Sequence, residues 1–287
     1  GGFFMTRRRF PVGKTLLYVF MSLWALTTIY PFIWVILNSF KPRGLIRSDT
    51  FSLPIGDKFT LENYVTAFKR VDIGTAYVNS IVISGAVTVV VMVLAGLAAY
   101  AMVRYSFRLR GFLHSMIIAS MMFPVFSTII PVFRMESSWG IVNTGSIWLT
   151  RLSVVLPQIA GNLSFAIIVL MGFIRSLPVD LEEAAYLEGY NVYQIFFRII
   201  MPLAKPSFAT VGIFTFLWSY NDLFLQMFFL RSKKFFTITR LLNEISSQAG
   251  TNYGLMVAAV VMVVIPVLVV YIFLQNYIIK GMTAGAV

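Results

Sequence analysis

The amino-acid sequence predicts an all-α polytopic membrane protein: six transmembrane helices, with a helix-turn-helix between the fourth and the fifth. Three observations predict it. Of 287 residues, 59% are apolar and only 12% charged, and the mean hydropathy is +0.83, well above the roughly half-apolar content of soluble domains. A soluble chain of this length could not cover its surface with so few charges, so lipid is part of its solvent. The apolar residues also gather into stretches long enough for a helix to cross the hydrocarbon, which takes about 20 residues. Finally, the polar interval 175–206 has the periodicity of helices, not of a loop.

After an N-terminal tail, 1–14, the first span runs from Thr15 to Phe40. Arg7, Arg8 and Arg9 precede it as they would a signal peptide, but it is too long for a signal core and has no small-residue cleavage site, so it reads as an uncleaved anchor. The interval Pro42 to Ala76, with Pro54, Gly56 and Gly74, is too polar to span and predicts a small external cap with one short helix near Leu61 to Lys69. The second span, Tyr77 to Val103, carries Gly85, Ala86, Ala95, Gly96, Ala98, Ala99 and Ala101. Small residues let backbones approach closely, a main source of helix association in lipid. The remaining spans are Phe112 to Phe133, Val154 to Ile174, Ser207 to Leu230 and Gly254 to Ile279, followed by a tail, 281–287. Pro124 and Pro266 predict kinks in the third and sixth; Pro157 lies near the start of the fourth, where proline is cheaper. Kinked helices suit a transport pathway, and they equally reflect the abundance of proline in membrane helices.

Composition excludes several functions. There is no cysteine, so disulfides and thiolate metal sites are excluded, and a single histidine, His114, argues against a histidine-built metal site or a Ser-His-Asp arrangement. The net charge of +12 comes from short Lys/Arg clusters between apolar runs, which suits lipid headgroups and topology control, not nucleic acid. Those charges divide almost evenly between the two sides. The tight clusters Arg7 to Arg9 and Arg104 to Arg110 favour a cytoplasmic N-terminus, and an even number of spans puts the C-terminus beside it. Gly13-Lys14-Thr15 hints at a phosphate loop, but Arg8 stands where the leading glycine belongs. No nucleotide site, metal site or catalytic set is expected in this chain.

The interval 175–206 holds Asp180, Glu182, Glu183 and Glu188. Leu181, Ala184, Ala185 and Leu187 followed by Gly189 predict a short helix stopped by glycine. Val192, Ile195, Phe196, Ile199 and Ile200 predict a second, amphipathic helix ended by Pro202 and Pro206. A compact helix pair on a membrane protein's inner face suits plugging into a partner, with Ala184 and Ala185 allowing close approach and Glu183 supplying a charge contact.

Glu183-Ala184-Ala185, Gly189 four positions after Ala185, Ile199, then Met201-Pro202 resembles the Glu-Ala-Ala loop of bacterial ATP-binding-cassette (ABC) importer permeases, with Met201 where leucine is usual. The resemblance extends to the carbohydrate-uptake branch and the second, smaller permease of maltose-type transporters. Tyr30-Pro31-Phe32, Asn38-Ser39-Phe40-Lys41, Asn79-Ser80, Ala98-Ala99-Tyr100-Ala101 with Arg104 and Phe107, Trp218-Ser219-Tyr220-Asn221-Asp222, and the tail Gly281-Met282-Thr283-Ala284-Gly285-Ala286-Val287 carry it.

What the resemblance implies is specific. Glu183, Ala184, Ala185, Gly189, Ile199 and Pro202 would form the coupling contact with an ATPase subunit. Partners would be two ATPase subunits binding ATP and Mg, a second and different permease, a periplasmic or surface solute-binding protein, and membrane lipid. The chain would sit in the bacterial inner membrane with both termini cytoplasmic and would do no covalent chemistry. Candidate pathway residues are Asn162, Ser164, Trp218, Tyr220, Asn221 and Asp222. An intramembrane acid is by default paired or functional, yet Asp222 and Asn221 equally read as residues that join helices, and the resemblance favours that architectural role. The substrate implied is an oligosaccharide or a glycerol-phosphate-like solute, and the excess of Lys and Arg in the outer loops points towards a uronate-type oligomer such as alginate oligomers. The rival is a secondary carrier or channel for a polar solute; it predicts inverted repeats and intramembrane coupling acids, of which Asp222 alone qualifies.

Overall fold

The computed structural model describes residues 12–70, 72–248 and 252–284, and among these every regular element is helical. In order they are α1 (Val12–Ser39), α2 (Arg43–Ser48), α3 (Glu62–Arg70), α4 (Ile73–Arg104), α5 (Arg110–Ser120), α6 (Val125–Ser138), α7 (Ile147–Ser176), α8 (Asp180–Leu187), α9 (Val192–Ile195), α10 (Met201–Leu203), α11 (Lys205–Asn221), α12 (Leu223–Phe229), α13 (Ile238–Gln248) and α14 (Tyr253–Ala284). Four stretches are long and apolar enough to cross a membrane alone: Gly13–Ser39, Ile73–Arg104, Ile147–Ser176 and Tyr253–Phe273. Two bent pairs raise the number to six if each counts as one span: α5 with α6, at 104°, and Val192–Leu203 with α11, at 82°. The all-α polytopic class is therefore as expected. Of the two tails, 1–11 and 285–287 lie outside the described residues, whereas 12–14 and 281–284 are the ends of α1 and α14.

The structure departs from the sequence reading at proline and at aspartate. The stretch 112–133, read as one kinked span, is two helices of 11 and 14 residues, about 17 and 21 Å long at 1.5 Å per residue, neither of which crosses about 30 Å of hydrocarbon alone. Pro124 causes the break: it sits in extended conformation (ψ 122°) before α6 and has no N–H to continue α5. Pro266, by contrast, lies inside an uninterrupted α14. The stretch 207–230 is interrupted at Asp222, whose ψ of 91° ends α11 and starts α12. Pro202 does not end the second coupling helix. A π-turn, Phe196–Ile200, carries the helix into α10, where Pro202 takes an early helical position that tolerates a missing N–H, and the chain turns at Ala204.

The chain divides into two units. One comprises the described residues within Gly1–Arg70 and Ile245–Met262. Residues 13–33 of its α1 are all exposed on this chain and apolar enough that lipid or another protein must cover them. Beyond α1 the backbone is held by a polar knot. Buried Asn63 donates to the carbonyls of Ser39 (2.9 Å) and Lys41 (2.8 Å), and buried Lys41 donates Nζ to those of Asp49 (3.0 Å) and Thr50 (2.9 Å). Burial pushes the Lys41 ammonium pKa down. The expected cap helix is present as α3, with α2 as a second.

The other unit comprises the described residues within Val71–Glu244 and Val263–Val287, and its core is α4 packed against α7 and α11. Ala95, Ala99, Ala166, Leu170, Phe196, Phe208 and Val211 meet there, all buried. In lipid the gain comes from close packing and not from leaving water, so the small residues matter. A Cβ at Gly96 would lie 2.8–2.9 Å from the rings of Phe208 and Phe196, and one at Gly212 would lie 2.9 Å from Met92 Sδ.

Candidate functional site

The predicted coupling segment begins just past the end of α7, whose C-cap is Leu177. Asp180, Glu182 and Glu183 occupy the first turn of α8, where acids suit the helix dipole. α8 stops at Gly189, whose φ of +85° a residue with a side chain rarely adopts. Asn191 restarts the chain with a reciprocal capping box: its Oδ1 accepts the Gln194 N–H (2.9 Å) and its own N–H donates to Gln194 Oε1 (2.8 Å).

One side of this helix pair is fastened down. Glu182 is buried; its Oε1 accepts from Arg104 Nε at 2.5 Å and its Oε2 from the Tyr100 hydroxyl at 2.8 Å. Arg104 Nη2 also donates to the Leu177 carbonyl at 2.9 Å, tying the end of α4 to the end of α7 as well as to α8. Ala185, Ile195, Phe196 and Ile200 are buried beneath the pair, with Ile199 packed partly buried beside them. The Tyr105 and Tyr186 hydroxyls meet at 2.9 Å, and that bond, with burial, pushes the Tyr186 phenol up to about 12.

The opposite side is bare. Glu183, Ala184, Gly189 and Pro202 are exposed, as are Leu181, Val192 and Tyr193, and Leu187 at the turn is 91% exposed. The six predicted coupling residues thus split: Glu183, Ala184, Gly189 and Pro202 face outward, whereas Ala185 and Ile199 pack inward. Sequence reasoning missed Glu182, which serves the anchoring side. Its spacing from Ala185, one helical turn, was the available signal.

The predicted pathway residues gather elsewhere in the same unit. Asn162, Trp218, Asn221 and Asp222 line a cavity of about 340 Å³ between α6, α7, α11 and α12. Ser164 lines an adjoining cavity of about 500 Å³, which shares Trp218 as a wall. Both volumes fall within the range of about 300–1,000 Å³ usual for ligand pockets. Trp218 packs edge-on against Phe165, with ring centroids 4.8 Å apart. Tyr220 is not in either wall: it is buried, stacks on Phe216 at 5.9 Å, and its carbonyl accepts from Thr239 (2.8 Å). A residue the sequence did not single out organises the polar wall. Buried Gln158 donates Nε2 to Asp222 Oδ2 (3.1 Å) and accepts from Ser219 Oγ (2.5 Å), while Asp222 Oδ1 accepts the Leu225 N–H (3.2 Å). Behind it, Gln226 Nε2 donates to the Ser219 carbonyl at 3.1 Å and accepts from Thr237.

The molecule thus combines an anchored helix pair with a bare outer face and a largely apolar cavity with a polar strip, beside the break between α11 and α12. Residues 91–284 match the family described as the binding-protein-dependent transport system inner membrane component. The chain belongs to that family. As one of its permeases it is a multi-pass inner-membrane protein, and the resemblance to ABC importer permeases holds; ATP hydrolysis is the work of separate subunits. The chain is 34% identical to the diacetylchitobiose uptake system permease protein of Streptomyces coelicolor, over 92% of this chain and 86% of that one. It is 30% identical to the melibiose/raffinose/stachyose import permease protein of Bacillus subtilis, over 90% of each. Among solved structures, a bacterial ABC transporter involved in the import of the acidic polysaccharide alginate superposes with a TM-score of 0.81, covering 96% of this chain and 99% of that one. At 24% identity that likeness speaks for the fold alone.

Proposed function

We propose that this permease is one of two halves of an importer that carries an oligosaccharide across the inner membrane by alternating access. The observation that carries the reading is the two-sidedness of α8. Its inner side is bolted through Glu182 to Arg104 and Tyr100, while Glu183, Ala184 and Leu187 stand bare on the outer side. A load applied to the bare side passes directly into α4 and α7. Two ATPase subunits, binding ATP and Mg, supply that load; a second permease completes the pathway, and a solute-binding protein delivers the cargo. α8 and both termini lie on the cytoplasmic side. A saccharide is supported by relatives named for sugars and by a cavity that combines an indole, amides and a carboxylate, groups suited to a hydroxyl-rich ligand. The uronate expectation rests on loop charge, and the cavity gives it no support, since no cation is among the described residues of its wall.

The test is Glu183→Lys in the assembled transporter. Insertion and thermal stability should be unchanged, because the side chain is exposed, while uptake falls about tenfold or more, the effect of about 1.4 kcal/mol, and substrate no longer stimulates ATP hydrolysis. Native uptake by the variant, or by the permease without any ATPase subunit, would refute the reading.

A further inference from the structure

The two adjoining cavities are one-sided in charge. Among the described residues that line the two cavities a single side chain is charged, Asp222, and none is a lysine, arginine or histidine. The hydrogen bonds described for Asp222 are all accepted ones, from Leu225 N–H and Gln158 Nε2, as suits an ionised carboxylate. Neither donor is a cation, so no described partner supplies a positive charge to this carboxyl group. A carboxylate offers about four lone-pair sites, and these two bonds leave acceptor capacity for a ligand. The neighbouring amides add to it. Asn162 commits its Nδ2 to the Gln158 carbonyl (2.7 Å) and Asn221 its Nδ2 to the Leu217 carbonyl (2.8 Å), and no described hydrogen bond engages either side-chain oxygen. The wall therefore presents acceptors and negative charge beside the Trp218 ring. Hydroxyl and amide N–H donors complement such a wall; a carboxylate ligand meets like charge.

We infer that this half of the pathway selects a neutral saccharide, plain or N-acetylated, against a uronate, with Asp222 as the selecting group; the inference rests on the saccharide-import reading above. The experiment titrates the assembled transporter, without binding protein, with diacetylchitobiose, melibiose and digalacturonate, following saturation transfer by NMR. At least one neutral disaccharide should bind about tenfold more tightly than digalacturonate, a gap of about 1.4 kcal/mol. Asp222→Asn keeps an oxygen to cap α12 but removes the charge, and should shrink the gap to about threefold or less. Digalacturonate binding as tightly as the neutral sugars, or a gap unmoved in Asp222→Asn, overturns the inference. Saccharide uptake into vesicles holding the complete system, without binding in the titration, overturns it also while leaving the saccharide reading intact. If those vesicles take up no saccharide yet import another class of solute, the saccharide reading itself fails.

Discussion

The anchoring face of the coupling segment and the wall of the cavity each hold an acid inside the protein, and they treat it in opposite ways. Glu182 has both oxygens engaged, one by a guanidinium, and its side chain is 5% exposed. Asp222 is half-buried and engaged by a neutral amide and a backbone N–H. A buried carboxylate with a matched cation is finished: it has nothing left to offer a ligand and serves to join helices. One held by neutral donors keeps part of its acceptor capacity. The pattern of partners, more than burial or motif membership, separates the acid that is saturated from the one that keeps capacity for a further partner.

The sharpest way to break the comparison is Glu182→Ala. It strands Arg104, 11% exposed, and should lower stability by about 3–5 kcal/mol, the cost of removing one partner of a buried pair; thermal unfolding of the purified permease complex reads it. Replacing both partners, Arg104→Met with Glu182→Leu, should cost clearly less than Glu182→Ala, because no orphan charge remains. At the cavity, Gln158→Leu strands Ser219 and Asp222 together and should cost about 1–3 kcal/mol. Its transport defect should exceed what the stability loss explains, which uptake measured well below the unfolding temperature would show. The smallest effect belongs to the surface of the coupling segment: Tyr186→Phe removes one exposed hydroxyl bond to Tyr105 and should cost about 0.5 kcal/mol or less.

The class of the fold was legible because apolar length and small-residue content are local properties: Ala95, Gly96 and Ala99 announce a tight helix contact wherever their partner lies. The helix pair was legible for the same reason, its turn being written in Gly189 and its second helix in the spacing of Val192, Ile195, Phe196, Ile199 and Ile200. What the sequence could not show was which side of α8 faces in. Glu182 and Glu183 are adjacent acids in the same turn, and only the position of Arg104, 78 residues away in the chain, makes one an anchor and the other a bare charge. Asp222 was visible as a costly acid, but its role as the joint between α11 and α12 depends on Gln158 and Leu225. Tyr220, chosen for its neighbours in sequence, points into packing because successive helix positions face about 100° apart.

The break between α5 and α6 has a consequence for water. At Met121, Met122 and Phe123 the backbone N–H groups make only turn-type bonds to Ile118, Ala119 and Ser120, and the helix ends on either side leave peptide groups without intrahelical partners. Hydrocarbon cannot solvate such groups; irregular backbone at membrane depth persists only inside protein or against water. Met121 and Phe123 border the larger cavity, so in a membrane these peptide groups require either that the cavity admit water or that a second protein cover them.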